Sequence, residues 1–249
     1  MVAQIIWEKS CSDHTWNRLA KRKWKNGFGS KFIRQGERNA VKYADEIIVL
    51  SKGVQDYFQE TYGRKTHFIP NGVNRPAIKN AEIITEKYGL TKDSYFLFLG
   101  RLVPEKGIRY LVEAFKQIKT DKKLVIAGGS SDTDEFACKL KELSKSDSRI
   151  IFTGFVQGEI LDELYSNAYV YTLPSDLEGM PLSLLEAMSY GNCCLVSDIP
   201  ECTEVVENKA VIFKKSNVSE LVRKLQENCD NSRKVRELKK VASNFILNK

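Results

Sequence analysis

Short apolar runs alternate with longer amphipathic segments along most of this chain, and this alternation limits what it can fold into. Each run has three to five residues, the length of a buried strand. Within residues 108–118, Leu111, Phe115 and Ile118 fall on one helical face. Strands that alternate with helices at this spacing predict a parallel, doubly wound α/β sheet. The predicted strands are 46–50, 66–69, 95–99, 123–127, 150–153, 169–173, 193–196 and 211–213, and the predicted helices are 54–58, 108–118, 136–143, 160–165, 182–189 and 218–228.

A polar stretch separates the early strands from the later ones. The turn sequence Pro70-Asn71-Gly72 ends the second apolar run, and Pro76 follows in a segment without apolar periodicity. We interpret this stretch as a linker and place the domain boundary so that residues 1–72 and residues 73–249 form separate domains.

Composition and cysteine usage favour a reduced, water-soluble protein. Hydrophobic residues make up 42% of the 249 residues and charged residues 29%, as in globular proteins with an apolar core. None of the six cysteines forms a CxxC pair, and Cys193 and Cys194 lie in a predicted buried strand, where thiols act as small apolar groups. There is no signal peptide and no apolar stretch of 18 residues. We therefore expect a cytoplasmic protein.

The excess positive charge is concentrated at the start of the chain. Residues 1–42 hold ten Lys and Arg against three Asp and Glu, a difference of +7 that equals the net charge of the whole chain. The same stretch contains Trp7, Trp16 and Trp24. Basic residues interleaved with aromatic ones suit an anionic bilayer, so residues 9–42 predict peripheral attachment at the inner membrane face. The alternative is a solvated face whose tryptophans pack against a missing partner.

The loops at the carboxyl ends of the strands should carry the chemistry, because ligands of open parallel sheets bind there. The loop 100–107 places Arg101 and Lys106 between a strand and a helix, where a guanidinium and an ammonium can hold phosphate oxygens. The alternative is an ordinary surface loop with mixed charges. Three further loops fall at the same edge: 128–132, 154–157 and 174–181.

The strongest signal is a pair of carboxylates that flank the start of a predicted helix. Glu178 is followed by Gly179 and Pro181, and Glu186 lies eight residues further along among apolar side chains. A glycine lets a ligand approach the backbone, and the free N–H groups of a helix start attract an anion such as a diphosphate. A buried carboxylate needs partners, which the hydroxyl groups of a sugar would supply. The alternative is a solvated pair in which a neighbouring Lys or amide group satisfies Glu186.

Other catalytic classes fit less well. A retaining glycosidase needs carboxyl groups ~5–5.5 Å apart, whereas eight helical residues would separate the two Cα atoms by about 12 Å. His14 and His67 do not form a Ser-His-Asp series, and Gly128-Gly129-Ser130 lacks the full GxGxxG pattern. Asp176 with Glu178 could imitate an acidic metal motif, but we expect neither a metal nor a cofactor.

In combination, these motifs resemble the family 4 (group 1) retaining glycosyltransferases of GT-B fold, over residues from about 15 to 249. That resemblance implies a Rossmann-like doubly wound donor domain in residues 73–249 and a remnant of the Rossmann-like N-terminal acceptor domain in residues 1–72. The motifs that carry it are Gly-Arg-Leu and Glu-Lys-Gly in 100–107, Ala-Gly-Gly in 127–129, Phe-Thr-Gly-Phe-Val in 152–156, Glu178-x7-Glu186, and the runs 44–51 and 69–73.

The resemblance also implies a role for each matching residue. Arg101 and Lys106 would hold the donor diphosphate, Glu178 would contact the transferred sugar, and Glu186 would bind the ribose. The remaining residues expected to line the donor site are Gly128 and Gly129 at the nucleotide, Phe155 and Val156 at the base, Gly179 and Met180 through their N–H groups, and Pro181 and Leu182 at the helix start.

From this family we expect a hexosyltransferase of polysaccharide biosynthesis that moves a sugar from a nucleotide donor to a glycan, a lipid or a polyisoprenoid-linked acceptor. We expect no nucleic-acid partner. Family members have a whole domain before residue 44 and a further C-terminal helix, so we expect a truncated chain. Two alternatives remain: a donor-binding module without turnover, and a nucleotide-sugar epimerase of GT-B fold.

Overall fold

The computed structural model describes residues 2–4, 28–129 and 134–249. The tryptophans at 7, 16 and 24, together with Cys11, His14, Ser130 and most of the basic segment, lie outside these residues. The chain divides into two compact units. The first consists of the described residues up to Asn71 together with Leu177–Pro181, and the second consists of Gly72–Asp176 and Leu182–Lys249.

The first unit contains a small parallel sheet with two helices. Its described elements are β1 (Val2–Gln4), α1 (Phe28–Tyr43), β2 (Glu46–Val49), α2 (Lys52–Tyr62) and β3 (His67–Phe68), with β2 between the other two strands. Ile47, Val49 and Phe58 are fully buried and form its core. The Ser51 hydroxyl accepts the Val54 N–H at the start of α2, and Gly63 ends this helix in the left-handed conformation.

The second unit is built on a parallel sheet of six strands in the order β6-β5-β4-β7-β8-β9. The chain builds outward from β4 to β6 and then returns to the other side of β4, so the strand order reverses between β4 and β7. Open α/β sheets bind ligands outside such a switch point. The strands are β4 (Tyr95–Leu99), β5 (Lys123–Ala127), β6 (Ile150–Gly154), β7 (Val170–Leu173), β8 (Cys193–Ser197) and β9 (Val211–Phe213).

Helices follow most of these strands, which confirms the predicted doubly wound α/β fold. They are α3 (Ile83–Tyr88), α4 (Ile108–Phe115), α5 (Asp134–Ser144), α6 (Glu159–Asn167), α7 (Leu182–Ser189), α8 (Pro200–Val206), α9 (Val218–Asp230) and α10 (Ser232–Leu247), with a 3-10 turn at Pro104–Lys106.

Element bounds agree with the sequence for β4, β5, β9 and α7. The helix predicted over 108–118 ends earlier, at Phe115. Helices α1, α3, α8 and α10 occupy segments in which the sequence predicted none.

The linker predicted around Pro76 has irregular structure in its first half only. Its second half is held by hydrogen bonds to side chains of α6. The buried Glu163 carboxylate accepts the N–H groups of Glu82, Ile83 and Ile84 at 3.0, 3.2 and 3.0 Å. These are N–H groups at the start of α3, which a short helix cannot satisfy internally. The Ser166 hydroxyl also accepts the Lys79 N–H at 3.0 Å. The Glu163 carboxylate on α6 thus caps the N-terminus of α3.

Cys193 and Cys194 lie side by side in β8 and are both fully buried, as predicted. Burial raises the pKa of the Cys193 thiol to about 12 and raises that of Cys194 well above its usual value. Both side chains therefore remain protonated and act as small apolar groups. Within the part of the chain that the structure describes, no helix is long and apolar enough to cross a bilayer.

Candidate functional site

The carboxyl ends of β4, β5 and β6 bring three of the predicted loops together. The Gly100 N–H donates to the Ala127 carbonyl at 3.0 Å, and the Gly128 N–H donates to the Gly154 carbonyl at 2.8 Å. The Leu102 N–H continues the ladder to the Gly129 carbonyl at 2.9 Å. The loops that begin at 100, 128 and 154 therefore converge, as the sheet topology required.

Two glycines allow the loop backbones to approach more closely than any side chain would permit. Gly128 has φ +146°, and a Cβ there would lie 1.8 Å from the Gly100 carbonyl oxygen. Gly107 has φ +65°, and a Cβ there would lie 2.0 Å from the Pro174 carbonyl oxygen. The sequence had connected Gly128 with a ligand, but close packing of neighbouring loops already requires a glycine at this position.

Arg101 and Lys106 lie in one loop, between β4 and α4. The Arg101 side chain is exposed, and Lys106 ends the 3-10 turn just before Gly107. The Asp176 N–H donates to the Glu105 carbonyl at 2.8 Å, which joins this loop to the one that follows β7. Two cations are thus carried by a loop that is held to its neighbours through backbone hydrogen bonds.

Asp176 holds neighbouring elements of the candidate site together, a role that the sequence did not reveal. Its carboxylate is buried and accepts the hydroxyl groups of Tyr110 at 3.0 Å and Ser216 at 2.7 Å. The sequence pattern indicated Asp176 only as part of a possible acidic metal motif. Among the described residues, no group of three or more His, Cys, Asp and Glu is arranged to hold a metal ion. The hydroxyl contacts instead make Asp176 a structural link between the loop after β7, helix α4 and the loop after β9.

Phe155 and Val156 follow β6 at the same edge of the sheet. Phe155 is 75% exposed, which is unusual for a large apolar side chain, and its Cβ lies beside Gly129. An exposed aromatic ring at a strand end is available for contact with a flat ligand.

The segment Leu177–Pro181 belongs to the first unit, and it contains Glu178, Gly179 and Met180. Glu178 is buried, and the Met180 sulfur accepts the Asn71 N–H at 3.0 Å. A Cβ on Gly179 would meet nothing within 4 Å, so open space surrounds this position.

Helix α7 begins after Pro181 rather than at it. The first helical residue is Leu182, whose side chain is 51% exposed. This is the first residue of the helix predicted over 182–189, so Pro181 lies directly before the helix. Proline suits the preceding position equally well, because its φ matches the entry into a helix and its missing N–H is not needed there.

Glu186 occupies the second turn of α7, and among the described residues its hydrogen-bond partner is a tyrosine hydroxyl rather than a lysine or an amide. The hydroxyl of Tyr165 donates to Glu186 Oε2 at 2.9 Å and also lies 3.3 Å from the Ser183 carbonyl. Tyr165 is 1% exposed, and its burial raises its pKa well above the usual value. It is therefore a permanent donor to this carboxylate.

An open pocket of about 340 Å³ lies beside Glu186, within the second unit. Of the predicted site residues, only Leu182 and Glu186 line it, whereas Arg101, Lys106 and Phe155 do not. Its lining mixes carboxylates and hydroxyl groups with apolar side chains, a composition suited to a polar ring. The full lining is Gly72, Val73, Asn74, Pro76, Leu161, Asp162, Tyr165, Leu182, Leu185, Glu186, Ser189 and Tyr190.

Two family models match most of this chain. Residues 80–245 match the family of glycosyl transferases group 1, and residues 10–75 match glycosyltransferase family 4. The alpha-maltose-1-phosphate synthase of Mycolicibacterium smegmatis is 28% identical over 203 residues, which cover 74% of this chain and 52% of the relative. The chain spans about half the length of the first curated relatives it matches.

Two further comparisons agree with the match to glycosyltransferase families. The UDP-Gal:alpha-D-GlcNAc-diphosphoundecaprenol alpha-1,3-galactosyltransferase of Escherichia coli is 32% identical over 155 residues, 58% of this chain and 40% of the relative. The crystal structure of Anabaena HepE in complex with UDP and glucose matches with a TM-score of 0.79 at 18% identity, covering 87% of this chain and 62% of that one. The structural match supports the GT-B fold, and the family match over two thirds of the sequence identifies the chain as a member of the group 1 glycosyl transferases.

Proposed function

We propose that this chain acts as a retaining glycosyltransferase in which residues 73–249 bind a nucleoside diphosphate sugar. The observation that carries the proposal is the convergence of the strand-end loops, which join the loop of Arg101 and Lys106 to Gly128, Gly129 and Gly154 through backbone hydrogen bonds. The relatives support it, because the galactosyltransferase named above takes a UDP sugar and the HepE structure contains UDP and glucose.

In this proposal the two cations bind the donor diphosphate. Arg101 can form two parallel hydrogen bonds to phosphate oxygens, and Lys106 adds a second positive charge. As the bond to the sugar breaks, negative charge develops on the leaving diphosphate, and fixed cations stabilise it. These side chains can supply this stabilisation without a metal ion, and a metal-independent reaction is part of the proposal.

The other residues bind and orient the donor. Glu178 and the N–H groups of Gly179 and Met180 contact the transferred sugar and the phosphate at the start of α7, flanked by Pro181 and Leu182. Glu186 binds the ribose, and Phe155 and Val156 contact the base.

The acceptor is a glycan or a lipid-linked sugar, and residues 1–72 belong to the domain that binds it. The described part of this region supports membrane attachment. Along α1, the side chains of Lys31, Arg34, Arg38 and Lys42 are exposed, and Phe32 is 67% exposed. Cations beside an exposed aromatic ring match the surface of an anionic bilayer, where each basic residue contributes ~1 kcal/mol.

A binding panel tests the donor proposal. A ligand at ~100 times its dissociation constant stabilises a folded protein by roughly 2.7 kcal/mol. We therefore expect UDP, GDP or ADP, alone or as its glucose conjugate, to raise the melting temperature of the purified chain at millimolar concentration. If none of these six compounds changes the melting temperature, the donor proposal is wrong.

Arg101→Ala tests the phosphate role. Because a charge-assisted hydrogen bond contributes ~1.5–3 kcal/mol, we expect binding of the nucleoside diphosphate to weaken by roughly tenfold or more, while binding of the nucleoside is unchanged. Arg109→Ala is the matched control, since Arg109 is an exposed arginine on α4 that pairs with Glu113 at 3.2 Å. Equal losses for diphosphate and nucleoside would mean that Arg101 acts through folding.

A further inference from the structure

A buried tyrosine holds one oxygen of the Glu186 carboxylate. The Tyr165 hydroxyl donates to Oε2 at 2.9 Å, while Oε1 accepts no hydrogen bond from the described residues. Glu186 itself is only partly buried and lines the pocket beside α7. One oxygen of this carboxylate is thus fixed inside the protein, and the other remains for a ligand in the pocket.

The tyrosine is itself held in place on several sides. Its ring stacks on Tyr190 with centroids 5.1 Å apart and an angle of 20° between the planes. The Tyr190 hydroxyl donates to Asp162 Oδ1 at 2.5 Å, one turn before Tyr165 on the same helix. The Asn192 side-chain amide donates to the Tyr165 carbonyl at 2.8 Å. The donor hydroxyl therefore has a fixed position before any ligand arrives.

Fixing one carboxylate oxygen also fixes the direction of the other. A glutamate side chain has three rotatable bonds and is otherwise mobile on a helix surface. Because the Tyr165 pKa lies well above its usual value, the hydroxyl stays protonated and keeps donating across the physiological pH range. A carboxylate that is oriented in advance binds a hydroxyl group with less loss of side-chain freedom.

We propose that Tyr165 is a positioning residue for the donor ribose, acting through Glu186. The proposal rests on the proposed function, in which Glu186 accepts a hydrogen bond from a ribose hydroxyl. Tyr165 determines how strongly the site prefers a ribose over a 2′-deoxyribose, without touching the ligand itself. The chemical class it selects is a ribonucleoside diphosphate.

Tyr165→Phe removes the hydroxyl and keeps the stacked ring. Tyr95→Phe is the matched control, because Tyr95 is also buried and its hydroxyl donates to the Leu164 carbonyl on the same helix at 2.8 Å. Calorimetric titration of the wild type and both variants with UDP, GDP, ADP and their 2′-deoxy forms gives the ratio of dissociation constants. We expect the wild type to prefer the ribose by about tenfold or more, equivalent to ~1.4 kcal/mol, and Tyr165→Phe to reduce the ratio to about threefold or less. Tyr95→Phe should retain the wild-type ratio.

The possible failures are distinguishable. If the wild type binds no nucleotide, the proposed function is wrong and the inference falls with it. If the wild type binds both sugar forms equally, donor binding stands but Glu186 does not hold the ribose, which overturns the inference. An unchanged ratio in Tyr165→Phe overturns it as well, as does an equal loss in Tyr95→Phe, which would assign the effect to the packing of α6.

Discussion

Replacing Gly107 with alanine is expected to destabilise the second unit by roughly 2–5 kcal/mol. The left-handed backbone at φ +65° accounts for ~1–2 kcal/mol in a residue with a Cβ. The new Cβ would also lie 2.0 Å from the carbonyl oxygen and 2.8 Å from the carbonyl carbon of Pro174. Both are backbone atoms that cannot rotate away, and forced overlap of this kind adds ~1–3 kcal/mol. Urea denaturation of the two proteins measures the difference.

Gly89→Ala separates the two causes. Gly89 ends α3 in the left-handed conformation at φ +60°, and a Cβ there would approach only the flexible end of the Lys123 side chain, at 3.4 Å from Nζ. It should therefore lose only the ~1–2 kcal/mol of backbone strain. If the two variants lost the same stability, the close approach of Gly107 to Pro174 would not exist in solution. Since a domain is stable by only ~5–15 kcal/mol, the expected loss for Gly107→Ala is a large share of the total.

Glu163→Ala is expected to reduce the free energy of unfolding by about 3–5 kcal/mol, because it removes a buried acceptor shared by three N–H groups at the start of α3. Hydrogen bonds to a charged group contribute ~1.5–3 kcal/mol each, but two of these N–H groups are only partly buried, so water recovers part of the loss. Chemical denaturation provides the measurement.

Glu159→Ala is the control on the same helix. Glu159 pairs with Lys79 at 3.2 Å, and both side chains are substantially exposed. An exposed ion pair contributes ~0–1 kcal/mol, so little stability should be lost. Similar losses for the two glutamates would show that Glu163 does not cap α3. Glu163→Gln should fall between them, since the amide keeps one acceptor oxygen but not the charge.

The sequence correctly predicted the bounds of those elements that are determined by the apolar pattern of their own residues. Strand β4 reads Tyr-Phe-Leu-Phe-Leu, and its predicted bounds match the structure. Helix α3 is different, because it has six residues and its N-terminal N–H groups are satisfied by Glu163, about 80 residues away. Helix α10 was missed because its exposed surface is rich in Lys and Arg, while its buried residues, Val235, Ala242 and Ile246, are widely spaced.

The same distinction applies to the candidate site. The loops that carry Arg101 and Gly128 could be placed from topology alone, because all parallel strands end at one edge. The hydroxyl groups that hold Asp176 come from Tyr110 and Ser216, 66 and 40 residues away, and no periodic pattern marks them. Tyr165 looked like an ordinary apolar helix residue, and only the structure shows that its hydroxyl reaches Glu186. The assigned roles of the site residues remain predictions.

The position of β4 in the sheet has a consequence for how the chain is made. This strand lies between β5, which follows it directly, and β7, which begins about 70 residues after β4 ends. A ribosome that adds ~5–20 residues per second needs about 4–14 s to supply that second neighbour. During this interval β4 has an open edge and apolar side chains, and open edges pair with strands of other chains. The yield of folded protein is therefore expected to depend on translation speed and on chaperones that shield this edge.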